Sequence, residues 1–435
     1  MNVHALQAVP RLTTLHHGPL QELERRLLAD LVRIESWFRS QWQRTPPPFY
    51  ASVDLRNAGF KLAPVDTNLF PAGFNNLGPE LLPLAVQAVQ AALGPRHPQA
   101  CEILLIPENH TRNLPYFENV ATLVQIFTQA GYRVTVGSLR PDLAAAETLE
   151  LPSGRRLELH PVVREGDLLG TAGRRPCLIV LNNDLAGGVP PILEGLAQPV
   201  LPPVHAGWAM RLKSRHFAVY RDTAAELAAL VGIDPWLIDP LSRNCGCIDF
   251  MKREGYECLE QHVGELLAEI GAKYAEYGID KPPFVFIKAD AGSYGMGVMA
   301  VRSVEEVRQL NRRQRTRMAA TKDGRKVHRV IIQEGVYTSE AVDGKPAEPV
   351  VYLVDRYVVG GFYRVHTAKT DADNLNAPGM HFEPLAFERG CNTPDPSCAP
   401  DAAPNRFYAY GVVARLAVLA AARELAEGAP PAEAP

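Results

Sequence analysis

Apolar and polar positions follow one pattern in the first half of the chain and a different one in the second. Leu23, Leu27, Leu31, Ile34 and Phe38 recur at helical spacing, which predicts an amphipathic helix over residues 21–43. Pro46, Pro47 and Pro48 stop it, since proline lacks the N–H that would extend a helix. Residues 53–76 are rich in proline and asparagine and read as poor in regular structure. From residue 79 helix-like segments (79–93, 115–130) alternate with strand-like runs (101–106, 132–136, 177–181). That alternation predicts a parallel, doubly wound α/β sheet. The proline-rich stretch 190–203 marks the expected domain boundary.

The second half predicts a long amphipathic helix over 256–277, then a strand over 284–288 that runs into a glycine loop. A helix over 303–313, strands over 327–333, 350–357 and 359–366, and an Ala/Leu-rich helix over 405–427 follow. The expected organisation is an N-terminal α/β domain, residues 1–203, and an α+β unit, 204–427. Subdomains of that unit are expected at about 204–332 and 333–427. The tail 428–435, GAPPAEAP, is too small and proline-rich to pack.

Composition narrows the picture. A chain of 435 residues exceeds a single core. Its 46% hydrophobic and 21% charged residues exclude wholesale disorder. A net charge of -3 leaves no electrostatic footprint for nucleic acid. Residues 1–20 lack the features of a signal peptide, and the apolar run 409–422 is broken by Arg415. Seven cysteines, an odd number, fit reduced thiols. A soluble, cytoplasmic protein without a membrane partner is the expectation.

Candidate chemistry centres on FVFIKADAGSYGMGV, residues 284–298. A strand delivers Lys288, and Gly292, Ser293, Tyr294, Gly295 and Gly297 follow. Glycines let backbone N–H groups approach an anion, and lysine adds a compact positive charge. The spacing is neither that of a P-loop nor that of a dinucleotide fold. Taken alone, a glycine-rich hairpin with a surface lysine reads equally well. Its neighbours favour a polyphosphate. Arg211 and Lys213 add cations upstream, and 330–336 is a strand carrying Gln333, Glu334 and Val336 that could border an adenine. Arg364 ends a later strand before Asp373, Asn374 and Asn376. Asp355, Asn374 and Asn376 are candidate Mg²⁺ ligands, although an Asn-rich loop is more often a capped turn.

Carboxylate-bearing, amine-bearing substrates need complementary charges. Arg56, Asn57, Lys61, Asp66 and Asn68 supply them in one polar stretch; Glu108 and Arg112 supply them just after the strand at 103–106. The alternative is that these are loop residues capping helices. Cys245, Cys247, Cys258 and His262 could hold zinc, but their spacing matches no standard framework.

The strings GYECLEQHV, AKYAEYGID, FVFIKADAGSYGMGVMAVRSV, VYLVDRYVVGGFYRVHT, NLNAPGMHF and NRFYAYGVVARLA resemble the proteobacterial ATP-grasp-type glutamate–cysteine ligase family. The segment from VYLVDRY to NLNAPG also resembles part of bacterial glutathione synthetase. The resemblance implies an ATP-grasp fold with ATP between two α+β subdomains. It implies ATP and Mg²⁺ as cofactors, glutamate and cysteine as substrates, and γ-glutamylcysteine as product, made through an acyl phosphate. By the same resemblance Lys213 and Lys288 would hold the α- and β-phosphates, the loop 292–297 would cover the β- and γ-phosphates, and Arg364 would stabilise the transferring phosphoryl group. One departure stands out. Glutathione synthetase carries a later Glu-x-Asn pair that binds metal, whereas here Asn374-Leu375-Asn376 has Asn at the first place and no later copy appears. Alternatives from other classes are a ligase for a different amine, a small-molecule kinase, and an ATP-binding protein without catalysis.

Overall fold

The computed structural model describes residues 12–13, 18–109, 113–292, 297–319, 326–385 and 406–428. The fold is mixed α/β and α+β, as expected, and its strands form three sheets. The first holds the anticipated parallel strands, with Glu147–Glu150 and Leu168–Thr171 added antiparallel to Arg156–Glu165. Val200–Leu201, Leu178–Asn182, Glu102–Pro107, Arg133–Ser138 and Arg156–Glu165 lie side by side in that order. Leu178–Asn182 is buried throughout, as is Glu102–Pro107 beyond its first residue, because protein covers both faces. Helices Leu82–Leu93 and Leu114–Gln129 join its core.

The second sheet is antiparallel and runs Ser242–Cys245, Val330–Glu334, Val285–Ala289, Val298–Val301. Helices Lys213–Val231 and Tyr256–Glu276 pack against it. The third sheet has seven strands, with Lys345–Val354 and Tyr357–His366 as its central hairpin. Here one expectation is corrected. Residues 53–76 are not irregular. Tyr50–Asn57 and Leu62–Asn68 form an antiparallel pair, and Tyr50–Asn57 also pairs with Lys345–Val354. The apolar–polar alternation Val53-Asp54-Leu55-Arg56 is the strand signal that the flanking prolines and asparagines obscured. The N-terminal unit expected over residues 1–203 shares its first strands with this sheet. Its first strands satisfy their backbone groups in the later sheet, and the parallel sheet begins only at residue 102. The helix expected over 21–43 is two helices, Pro19–Ala29 and Leu31–Arg44, parted at Asp30.

Strand alternation decides what each face of the third sheet meets. Val53, Leu55, Val351, Leu353 and Val365 face the core that includes the buried helix Arg406–Gly428. The opposite face changes along its length. Val350, Tyr352 and Phe362 pack onto the core of the parallel sheet, whereas Asp54, Glu348 and Arg364 cluster at the other end. No helix of the described residues is long and apolar enough to cross a membrane.

Candidate active site

The second and third sheets meet at a cleft lined by Asp54, Arg56, Val65, Asp66, Lys213, Phe286, Lys288, Gly292, Val336, Glu348, Asn374 and Asn376, among others. Lys288 lies near the end of Val285–Ala289, a strand that apolar and aromatic residues bury on both faces. Its Nζ donates to the Val65 carbonyl at 2.9 Å and to Gln333 Oε1 at 2.5 Å. Burial pushes the Lys288 ammonium down to about 8. Asp66 opposes the shift, and Lys213 and Arg56 add to it. Gly292 (φ 101°) and Gly297 (φ 64°) flank the loop in backbone conformations that other residues rarely adopt.

Lys213 opens helix Lys213–Val231. Its Nζ lies 2.8 Å from Asp66 Oδ1 and 3.9 Å from the centre of the Trp208 ring. Asp290 holds that helix start in place. Its carbonyl accepts from Lys213 N at 2.8 Å, and its carboxylate accepts from Ser214 N and Oγ at 2.7 and 2.8 Å. Burial would raise the Asp66 carboxyl, but Lys213 and Lys288 overrule it and hold it at about 2.

Across the cleft Arg364 donates to Asp54 Oδ2 at 2.7 Å and to Glu348 Oε1 at 2.6 Å. Its Nε is buried without a partner. Arg56 donates to Glu348 and also to the carbonyls of Asp371 (3.2 Å) and Asp373 (2.7 Å). Arg56 thus staples the loop that carries Asn374 and Asn376 onto its own strand. In that loop Asn376 N donates to Asn374 Oδ1 at 3.0 Å. Burial raises the Asp54 carboxyl beyond what Arg364 offsets. Burial would raise Glu348 too, but Arg56 and Arg364 together hold it below its ordinary value. Four cations and three carboxylates face one another here, an environment suited to a polyanion accompanied by a metal.

The cleft therefore gathers Lys288, Lys213, Gly292, Val336, Asp66, Arg56, Asn374 and Asn376 from the residues expected by sequence, with Arg364 beside Asp54 and Gln333 beneath Lys288. Others lie elsewhere. Lys61 and Glu334 form a sealed pair at 2.7 Å with both side chains 0% exposed, so neither can touch a ligand. Asn57 is spent on Tyr410 and Gly59. Asn68 accepts from Phe70 N in a turn. Asp355 occupies the turn between Lys345–Val354 and Tyr357–His366 and pairs with Arg96 at 2.7 Å. Six residues of strand lie between it and Glu348, a span of roughly 23 Å, so the structure does not bring Asp355 to the cleft with Asn374 and Asn376. Glu108 follows Glu102–Pro107, where its N–H bonds the Tyr116 hydroxyl, away from this cleft. Ser293, Tyr294, Gly295 and Arg112 lie outside the described residues.

Sequence reading missed Asp54, Glu348 and Asp290. The signal for Asp54 was an acid on the polar side of an alternating strand. Strand pairing sets Asp66 opposite Asp54, which brings the two carboxylates to one end of the sheet. Among the described residues no three His, Cys, Asp or Glu side chains converge into a metal cage. That covers Cys245, Cys247, Cys258 and His262, where Cys258 Sγ is 3.7 Å from His262 Nδ1.

The chain is similar to a crystal structure from Methylobacillus flagellatus KT that carries the provisional name gamma-glutamylcysteine synthetase. The two are 57% identical over 97% of this chain and 100% of that one, with a TM-score of 0.90. A D-alanyl-alanine synthetase A from Vibrio cholerae (11% identity, 73% and 81% of the two chains, TM-score 0.33) and a glutathione synthetase-like effector from Globodera pallida (8%, 84% and 80%, 0.37) are too distant to carry an argument. No curated protein matches. The model of the glutamate–cysteine ligase family matches residues 24–425. With nearly the whole length matched, the chain belongs to the glutamate–cysteine ligase family.

Proposed function

We propose that the protein joins the γ-carboxylate of glutamate to the amine of cysteine at the expense of ATP, in the cleft between the second and third sheets. Family membership supports the ligase reaction. The observation that carries the ATP reading is the convergence of Lys288 and Lys213 on a cleft that Asp54, Asp66 and Glu348 also line. Amide formation from a carboxylate is uphill. Transfer of the terminal phosphoryl group to the γ-carboxylate gives an acyl phosphate, and attack by the amine then expels phosphate.

The chain's part is positioning and charge neutralisation. Lys213 and Lys288 would neutralise the phosphate chain, and Phe286 and Val336 would give the base an apolar wall. Arg364, already anchored at two carboxylates, would present its remaining N–H groups to the transferring phosphoryl group. Among the described residues no three carboxylates converge on one point, so the hard oxygens of Asp54, Asp66, Glu348, Asn374 and Asn376 that line the cleft would hold Mg²⁺ only in part. The ion would supply charge neutralisation to the phosphate chain.

ADP release with glutamate and a panel of amino acids tests this reading. The expected outcome is release that requires glutamate, cysteine and Mg²⁺ together, with γ-glutamylcysteine identified by mass. Release indifferent to cysteine would sink the named reaction. Glu348→Gln is expected to cut turnover about 10²-fold while the protein stays folded.

A further inference from the structure

Behind Asp66, on the face of its strand turned away from the cleft, lies a closed polar chain that the proposed reaction does not use. Thr67 is buried between Asp66 and Asn68. Its carbonyl accepts from Arg211 Nη1 at 2.7 Å, and its Oγ1 lies 2.9 Å from His216 Nε2. Both partners converge on one carboxylate of the C-terminal helix. Arg211 Nε donates to Glu424 at 3.1 and 3.2 Å, and His216 Nδ1 is 3.2 Å from Glu424 Oε2. Thr67, Arg211, His216 and Glu424 are all at most 5% exposed.

Chemistry fixes the protons. A carboxylate only accepts, so His216 Nδ1 carries the hydrogen. Nε2 of the neutral ring then accepts from the Thr67 hydroxyl. Burial and the neighbouring Arg211 keep the ring below its ordinary pKa, against the pull of Glu424. Glu424 is held down by Arg211 and His216 although burial would raise it. The chain therefore has one defined polarity, Thr67 to His216 to Glu424, with Arg211 closing the loop from carboxylate to Thr67 carbonyl.

The same two basic residues bracket Lys213, whose ammonium holds Asp66. A shift of Thr67 would move Asp66 relative to both Lys213 and Lys288. Resting on the proposed ATP-dependent reading, we propose that Glu424, His216, Arg211 and Thr67 form a positioning relay that fixes Asp66 for metal–nucleotide binding from behind. None of the four is a catalytic residue, since none touches the cleft's ligands. The relay makes the C-terminal helix part of the site's support, which its sequence, an Ala/Leu-rich apolar helix, gives no reason to expect.

Support of this kind typically changes metal affinity or activity 10- to 100-fold. The test uses the full-length enzyme and measures the Mg²⁺ concentration for half-maximal turnover, the limiting turnover, and Tm. Thr67→Val removes the hydroxyl at nearly constant volume, and Glu424→Gln removes the charge. Each is expected to raise the Mg²⁺ requirement at least about tenfold, with a smaller effect on limiting turnover. Thr67→Ser should restore it. Combined with Asp66→Asn, Thr67→Val should add little, because the relay acts through that carboxylate. If Thr67→Val and Glu424→Gln lower Tm but leave the Mg²⁺ requirement unchanged, while Asp66→Asn raises it, the relay is overturned and the metal reading stands. If Asp66→Asn also leaves it unchanged, the metal reading falls and the relay with it.

Discussion

Two lysines, held by adjacent residues of a single strand, show how one sheet serves both structure and chemistry. In Val330–Glu334 the side chain of Gln333 accepts from Lys288 at the cleft, and that of Glu334 pairs with Lys61 on the opposite face. Lys61 also donates to the Asp239 carbonyl at 2.9 Å and lies 4.2 Å from the Trp236 ring centre. It has nothing left to offer a ligand. Lys288 is only part-buried, with a neutral amide and a carbonyl as its partners, and lines the cleft with donor capacity to spare. A sealed charge needs a fixed counter-charge. A working charge is better kept with weak partners that a polyanion can outcompete.

The contrast makes opposite forecasts for the two sites. Lys61→Met leaves Glu334 buried and unpaired and should cost about 3–5 kcal/mol of stability by urea unfolding. The pair Lys61→Met with Glu334→Leu should recover most of that loss, and failure to recover would mean that Lys61 does more than neutralise Glu334. Lys288→Met should do the reverse, dropping turnover about 10²- to 10³-fold with Tm nearly unchanged. A large fall in Tm would break the distinction drawn here.

A pH experiment sharpens it. With Lys288 lowered to about 8 by burial, a bound polyphosphate should favour the charged ammonium and raise that value. Calorimetry near pH 8.5 in two buffers should therefore register proton uptake on nucleotide binding, absent in Lys288→Met, and affinity should weaken as pH rises through 8. The sign for folding is consistent. Between about 8 and the ordinary lysine value the unfolded chain holds the extra proton, so the protein gains stability with pH there. The smallest effect is expected for Asp290→Ala. Loss of the acceptor at the start of Lys213–Val231 should cost about 1 kcal/mol, seen as roughly a fivefold rise in KM for ATP.

Most of the fold was legible where periodicity was strong. The parallel sheet, the helix Tyr256–Glu276 and the strand bearing Lys288 fall within a few residues of their expected places. The hairpin Tyr50–Asn57 and Leu62–Asn68 was hidden, because proline and asparagine around short alternating runs read as loop. That one omission also hid Asp54, and with it the carboxylate that Arg364 meets at the cleft. Asp54 and Asp66 lie some 280 residues before Glu348 in the chain, and only strand pairing makes them neighbours.

The sequence by itself determined the lysine-and-glycine loop, the alternation of strands and helices, and strings long enough to mark the family. Those are local properties, written in spacing and residue type. The tertiary structure alone decided which charges line the cleft. Lys61, Glu334, Asn57 and Asp355 have the same chemistry as the residues that line the cleft, but strand register turns Glu334 and Asn57 inward, the turn after Tyr50–Asn57 buries Lys61 against Glu334, and Asp355 sits at the far turn. A one-residue step along a strand reverses the side on which a side chain lies, and no count of polar residues in a stretch records that.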